Sequence, residues 1–193
     1  METTLMTARL EMVPITVAIV EAVLAGRREV AERLIGAGLP DAWPGRALIE
    51  RAFSANLEAI RQNPDHRLWG DRVMIAREGE RRVVGSVVFH GGPNAEGVVE
   101  VGYGVERDSQ GKGYATEGTL AAVEWALGLP SVRAVCAQTP VWHHASQRVL
   151  ERVGMCLVGR HEHEMLGEVL EYERPGDRLR ATRPADRAAV ASR

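Results

Sequence analysis

The stretch Asp108-Ser109-Gln110-Gly111-Lys112-Gly113-Tyr114-Ala115-Thr116-Glu117-Gly118 lies between an apolar, strand-like run and an apolar helical pattern. A tight turn with two glycines, opening onto a helix, points several backbone N–H groups at one place. The orphan N–H groups of a first helical turn and the positive end of the helix dipole both favour a phosphate there. Glycine suits the turn because a Cβ would hold a phosphate away from the backbone. Two common nucleotide loops do not fit. A Walker-type loop needs Ser or Thr after its Gly-Lys pair, and Lys112 is followed by Gly113. A dinucleotide fingerprint needs a third glycine where Thr116 stands. No acidic residue stands at a recognised spacing for Mg²⁺, which argues against an ATP-binding domain.

What remains is Gln-x-x-Gly-x-Ala, at Gln110, Gly113 and Ala115, directly after a strand. It resembles the acyl-coenzyme A pyrophosphate loop of the GNAT N-acetyltransferase superfamily. The longer string QGKGYATEG resembles the branch that acetylates ribosomal-protein N-termini (RimJ/RimL-like), with its small-molecule relatives. A second stretch runs from Thr139 to Met155, TPVWHHASQRVLERVGM. It resembles the family segment in which Asn is followed three residues later by Ser, then by an amphipathic helix and Gly-Phe. His143 stands where Asn is usual, so that amide's contact to the pantetheine arm falls to a ring nitrogen or to water. Met155 replaces Phe, a packing change. Leu150 stands where many relatives carry a general-acid tyrosine, so that role is absent at this position.

The resemblance implies acyl transfer, most simply acetyl, from acetyl-CoA (coenzyme A) to a primary amine on a small molecule or a protein N-terminus. The amine attacks the thioester directly, because neither cysteine lies near the loop. The cofactor cradle implied is Gln110, Gly111, Lys112, Gly113, Tyr114, Ala115 and Thr116. Tyr103 and Val105 would pair the pantetheine arm through their backbone, with His143 and Ser146 on its other side. Gly102 and Gly104 would ease the splaying of that strand from its neighbour, as strand glycines often do. Ser146 is the candidate for hydrogen-bonding the leaving thiolate; the alternative is a helix-start serine capping its own backbone. Glu100, on the strand face opposite the valines, is one candidate base; the alternative is an ion pair with an arginine across the sheet. Glu164, in HEHEM, is the second candidate base, near where ribosomal-protein acetyltransferases carry a strand glutamate. The rival to an enzyme is an acyl-CoA-binding sensor or scaffold that has kept the loop and lost the chemistry. Turnover separates the two.

Other constellations carry less. His161, Glu162, His163 and Glu164 alternate along a strand and complete no metal-ligand set. No G-x-S-x-G elbow exists for a serine hydrolase, and His143 and His144, being adjacent, cannot both face Ser146. An acceptor pocket is expected from the first two helices and their linker, with Trp43, Phe53 and Trp69.

The elements that must position these groups follow from the apolar period. Thr7–Ile15 reads as a strand, Thr16–Ile35 as a helix stopped by Gly36, and Arg46–Gln62 as a second helix ended by Asn63-Pro64-Asp65. Arg72–Arg77 and Arg82–His90 read as a hairpin. Val98–Val105 is the next strand, with Val99, Val101, Tyr103 and Val105 on one face and Val98, Glu100, Gly102 and Gly104 on the other. A helix over Ala115–Leu127 uses Leu120, Val123 and Leu127. Val132–Thr139 is a strand, and His143–Arg152 a helix with Ala145, Val149 and Val153 inward. Met155–His161 and Val169–Arg174 close the sheet. Residues 1–175 are expected to form one α/β (α+β) domain, with a mixed, mostly antiparallel sheet of six or seven strands, four helices and a splayed central pair. Residues 176–193, rich in Arg, Ala, Asp and Pro, read as a disordered tail.

Composition bounds the rest. With 193 residues, 45% hydrophobic and 26% charged, the chain can bury one sizeable core. A formal net charge of -2 gives no electrostatic footprint for nucleic acid. No apolar run is long enough to span a bilayer and the N-terminus has no signal-peptide pattern, so a cytoplasmic protein is expected. Cys136 and Cys156 sit in strand-like runs and are expected to be buried free thiols. Lys112 is the only lysine, so amine chemistry can report on the proposed phosphate loop. The resemblance also implies a homodimer.

Overall fold

The computed structural model describes residues 3–41 and 57–176. Trp43, Phe53, most of the expected second helix and the tail past residue 176 lie outside the described residues. Strand β1 (Leu5–Met6) turns tightly into β2 (Leu10–Pro14), so the expected first strand starts later and gains an antiparallel partner. Helices α1 (Val17–Leu24) and α2 (Arg28–Ile35) replace the single helix expected over Thr16–Ile35. The break is at Gly26, whose φ of 67° is left-handed and favours glycine. Helix α3 (Leu57–Gln62) ends before Asn63, but Pro64 opens one more turn, α4 (Pro64–Arg67), instead of ending helical structure. A proline is tolerated there because the first helical turn has no use for its missing N–H.

The hairpin β3 (Arg72–Ala76) and β4 (Val83–Phe89) leads to β5 (Val98–Val105), whose bounds match the sequence expectation. A 3₁₀ turn (Arg107–Ser109), the glycine loop and α5 (Tyr114–Gly128) follow. Then come β6 (Ala134–Pro140), α6 (His144–Arg152), β7 (Cys156–His163) and β8 (Gly167–Pro175). The described residues thus hold eight strands and six α-helices, against the six or seven and four expected. One sheet contains every strand, in the order β1-β2-β3-β4-β5-β6-β8-β7. All neighbours are antiparallel except β5 and β6.

Apolar side chains cover both faces of this sheet. Leu10, Met74, Val99, Val101, Val123, Leu150 and Tyr172 belong to the cluster shared with α5 and α6. Ile19, Val20, Ile35, Ile60, Val73 and Ile75 form a second cluster with α1, α2 and α3. On α5 the face toward the sheet is built of Gly118, Thr119, Ala122, Val123 and Ala126. Leu120 and Leu127, expected inward, are only partly buried. Small residues are needed because the helix lies close to the strands. A Cβ on Gly118 would sit 2.1 Å from the Met74 sulfur. On α6 the inward stripe is half-buried Ser146 and Val149 and buried Leu150, continued by buried Val153 just past the helix, at i, i+3, i+4, i+7 spacing. Ala145 lies outside that stripe and is exposed, contrary to expectation. Cys156 is also exposed, because edge strand β7 has a neighbour on one side only, while Cys136 is half-buried.

Gly118→Ala must displace the Met74 thioether, and overpacking of this kind costs about 1–3 kcal/mol. Urea unfolding is expected to show that loss; an unchanged midpoint would contradict the close helix–sheet contact.

Candidate active site

Strands β5 and β6 pair through only three rungs, Val98↔Ala134, Val99↔Val135 and Glu100↔Cys136. Beyond Glu100, β5 keeps its ladder to β4 as far as Val105, and β6 keeps its ladder to β8 as far as Pro140. The sheet is therefore continuous on both sides of a V whose apex is the Glu100–Cys136 rung. The direction of the β5 backbone groups follows from its other ladder. His90 N–H donates to the Glu100 carbonyl and Glu106 N–H to the Val84 carbonyl, so the even-numbered residues of β5 bond β4. By alternation, the backbone groups of Tyr103 and Val105 point into the V.

From the V the strand leads through the 3₁₀ turn (Arg107–Ser109) into the glycine loop. Gly111 has φ of 74° and Gly113, the residue before α5, has φ of 83°. These left-handed positions turn the chain from the 3₁₀ turn into the start of α5. The first intrahelical bond is Glu117 N–H to the Gly113 carbonyl at 3.0 Å. The N–H groups of Tyr114, Ala115 and Thr116 precede it and form no helical bond. Nothing lies within 4 Å of where a Gly111 Cβ would stand, which leaves open space at the loop.

Two braces hold the loop. Arg9, from the β1–β2 turn, donates to the Lys112 carbonyl at 2.8 Å and from Nε to Glu117 at 2.7 Å. Its guanidinium lies 5.0 Å from the Tyr114 ring centroid. Thr7 and the Arg9 backbone N–H also donate to Glu117. On the other side buried Glu106 accepts from both Arg82 and the Ser109 hydroxyl. The Gln110 amide donates to the Val105 carbonyl at 3.2 Å, and Lys112 Nζ folds back on the Asp108 carbonyl at 2.9 Å.

Across the V, the Tyr103 hydroxyl lies 2.9 Å from Ser146 Oγ and donates to the Ser146 carbonyl at 3.0 Å. Burial is the main reason its pKa is pushed up to about 12, so the phenol stays protonated. Glu100 occupies the opposite face. Its carboxylate lies 3.3 Å from His90 Nδ1, so its partner across the sheet is a histidine instead of the arginine weighed from sequence. Cys136, beside it, has its thiol pushed up to about 11, first by burial and then by the charges of Glu100 and Glu173. That is a poor nucleophile, in line with direct attack by the amine.

The two candidate bases are not brought together. Glu164 lies exposed in the β7–β8 turn, next to Met165. Glu173 pairs with Cys136 at the apex, whereas Gly167 lies at the turn. At about 3.4 Å per residue, the turn is roughly 20 Å along β8 from the apex. His143 is exposed and stacks on Trp142, with centroids 5.6 Å apart and planes 13° apart. Trp69 packs on Phe89 and Trp125, at 5.0 and 5.1 Å between centroids. It is part of an aromatic cluster on the α5 face.

The family model for the acetyltransferase (GNAT) domain matches residues 9–156. The chain belongs to the GNAT acetyltransferase family. An uncharacterized N-acetyltransferase, YjdG of Bacillus subtilis (strain 168), is 29% identical over 87 residues. That match takes in 45% of this chain and spans about half, 52%, of the relative's length. A GNAT-family acetyltransferase from Bacillus anthracis has a TM-score of 0.61 at 18% identity, over 91% of this chain and 99% of that one. RimL, a ribosomal L7/L12 alpha-N-protein acetyltransferase in complex with coenzyme A, has 0.62 at 16%, again over 91% and 99%. The ribosomal-protein-S5-alanine acetyltransferase of Vibrio fischeri has 0.61 at 14%, over 91% and 98%. These likenesses show the GNAT fold, a single domain whose central pair is splayed.

Within that fold Leu150, where many GNAT relatives carry tyrosine, is fully buried in the α5–α6 cluster. Sequence reasoning missed Arg9, Glu117 and His90. Glu117 in a first helical turn is a readable sign, since the helix dipole favours a carboxylate there. Nothing in the sequence links it to Arg9, 108 residues away.

Burial alone would raise the Glu117 carboxyl, but bonds from Thr7 and Arg9 and the Arg9 charge outweigh it and hold it below its ordinary value. A depressed carboxyl contributes stability above the ordinary Glu pKa of about 4.3 and loses it as pH falls through the folded value. Glu117→Gln is therefore expected to lower the urea midpoint at neutral pH. The difference from wild type should shrink steadily on acidification below that range; a difference independent of pH would contradict the brace.

Proposed function

We propose that the chain is an acetyl-CoA-dependent N-acetyltransferase that acts on a primary amine of a small molecule or a protein N-terminus by direct attack. The observation that carries this reading is the continuity of the Tyr103–Val105 edge with the N–H groups at the start of α5. An extended arm ending in a pyrophosphate fits that arrangement: amide-like groups on the strand edge, then an anion at a helix N-terminus. The solved RimL structure is described as a complex with coenzyme A, and that of the microcin self-immunity acetyltransferase MccE as one with acetyl-CoA and AMP. Both support the same cofactor here.

In this reading Gln110, Gly111, Lys112, Gly113, Tyr114, Ala115 and Thr116 hold the pyrophosphate, chiefly through backbone N–H groups. Tyr103 and Val105 pair the pantetheine arm, and His143 lies at the rim of the slot. The amine nitrogen bonds the acyl carbon, and a backbone donor in the V stabilises the oxyanion. The C–S bond then breaks, its electron pair leaving on sulfur. Ser146, with the protonated Tyr103 hydroxyl behind it, supplies the proton that the buried Leu150 cannot. Glu100, 3.3 Å from His90 Nδ1, marks the side on which the amine loses its proton. Glu164, in a distant exposed turn, has no part in that step. Residence in the cytoplasm and assembly as a homodimer complete the proposal, supported by free thiols and by the family resemblance.

Calorimetric titration with acetyl-CoA, with ATP as control, tests the cofactor. Wild type is expected to bind acetyl-CoA only, and Gly113→Glu, which puts an anion into the loop, neither. Thiol release from acetyl-CoA with spermidine, lysine or a free peptide N-terminus then tests the chemistry. Binding without turnover of any amine would favour a sensor over an enzyme. Tyr103→Phe and Ser146→Ala are each expected to lower kcat by about 10²-fold, the lower end for a positioned acid, with acetyl-CoA affinity retained. An unchanged kcat in both would remove the hydroxyl pair from the mechanism.

A further inference from the structure

The residue opposite Glu100 in the β4–β5 ladder is His90, just past the end of β4. Facing residues of an antiparallel pair project to the same side, so both side chains lie on the sheet face away from α5 and α6. The imidazole is exposed on that face, with a carboxylate on one side of it. Its Nδ1 is 3.3 Å from the Glu100 carboxylate. Its Nε2 is 3.7 Å from where a Gly102 Cβ would stand. The ring therefore lies along β5, from Glu100 at the apex toward Gly102, the next residue of that face beyond the apex. A Cβ at residue 102 would make ordinary van der Waals contact with Val88 at 3.5 Å and with the imidazole at 3.7 Å. Among the described residues, no hydrogen bond to Nε2 is present.

We infer that His90, oriented by Glu100, is the catalytic base, its Nε2 taking the amine proton over Gly102 at the mouth of the β5–β6 V. This rests on the acetyltransferase reading and refines which group receives the proton. With the ring proton on Nδ1, the nitrogen facing the Glu100 carboxylate, the Nε2 lone pair is free to accept. A carboxylate behind an imidazole also stabilises the cation that forms. As the amine nitrogen bonds the acyl carbon it becomes positive, and one N–H proton passes to Nε2. The C–S bond then breaks, and the sulfur takes one proton from Ser146 Oγ, which Tyr103 replaces; Nε2 releases its proton to water and the phenolate regains one from water. Glu100 is in this account a positioning residue.

The charges around the ring act in one direction. The Glu100 hydrogen bond raises the His90 pKa most, burial opposes it, and the charges of Glu100 and Asp71 add to the rise. Asp71 is buried and accepts the Phe89 N–H at 2.6 Å. From α4, His66 approaches Gly91 and Gly92 beside the ring, with Nδ1 accepting the Gly92 N–H at 3.3 Å. Cys136 and Glu173 lie beyond Glu100 on the next strands.

The test pairs imidazole NMR with kinetics. Side-chain nitrogen NMR titration of the whole chain is expected to give His90 a pKa above the ordinary histidine value of about 6.5, lowered in Glu100→Gln. Thiol release from acetyl-CoA, with the amine among spermidine, lysine and a free peptide N-terminus that turns over, should rise with pH through the same value. His90→Gln should lose that limb and about 10²-fold or more in kcat, with calorimetric acetyl-CoA affinity unchanged. In His90→Ala, added imidazole should restore part of the rate; such rescue is not expected of a residue with a structural role alone. A His90→Gln variant as fast as wild type, or a limb unmoved in it, overturns the assignment alone. Wild type that binds acetyl-CoA and turns over no amine overturns the enzyme reading and this assignment with it.

Discussion

Two parallel strands that part after three rungs leave backbone donors and acceptors without a partner strand, and the rest of this molecule is arranged around that fact. Buried backbone polar groups are costly when unmade. Such a gap persists only if the flanking ladders are rigid and something polar enters it. Here β2, β3 and β4 stiffen one arm and β8 and β7 the other. The Tyr103–Ser146 bridge spans the V from the α5–α6 side. The helices on both faces hold the two arms at their angle by burying Val99, Val101, Leu150 and Val153 on one side and Val73, Ile75 and Val83 on the other.

The gap also sorts the chemistry by face. Odd-numbered residues of β5 send side chains to α5 and α6, and Tyr103 thereby meets Ser146. Even-numbered residues face the other way, so Glu100 meets His90. In the proposed mechanism the proton donor and the proton acceptor thus lie on opposite sides of one strand, with the slot beside it. The period of two alone keeps the Tyr103–Ser146 pair apart from the Glu100–His90 pair, without any long loop to position them. The glycine loop is separate again, held by the Arg9–Glu117 and Arg82–Glu106–Ser109 braces at the head of α5.

Much of this was legible in the sequence where the signal is local. The bounds of β5 follow from unbroken alternation ended by a turn. Gly111 and Gly113 announced a left-handed approach to a helix, and both adopt it. The splay was read from Gly102 and Gly104 together with the family resemblance. Contacts set by cross-strand register were not legible. His90 meets Glu100 because of the ladder between β4 and β5, and Cys136 joins them through a parallel pairing that spacing alone does not announce. Arg9 reaches Lys112 across 103 residues. Helix interiors failed where packing overrode the apolar count: on α5 close approach to the sheet selects glycine and alanine over Leu120 and Leu127. Gly26 broke a helix that the apolar period alone reads as continuous.

Hydrogen–deuterium exchange with and without acetyl-CoA tests the central claim most directly, since it reads the backbone groups of the V themselves. The account predicts that the amides of Tyr103 and Val105 and those from Gly111 to Thr116 gain protection together, while the β5 amides already bonded to β4 change little. Protection confined to another surface, or none at saturating acetyl-CoA, would contradict the claim that the parted strands and the loop form one cofactor slot.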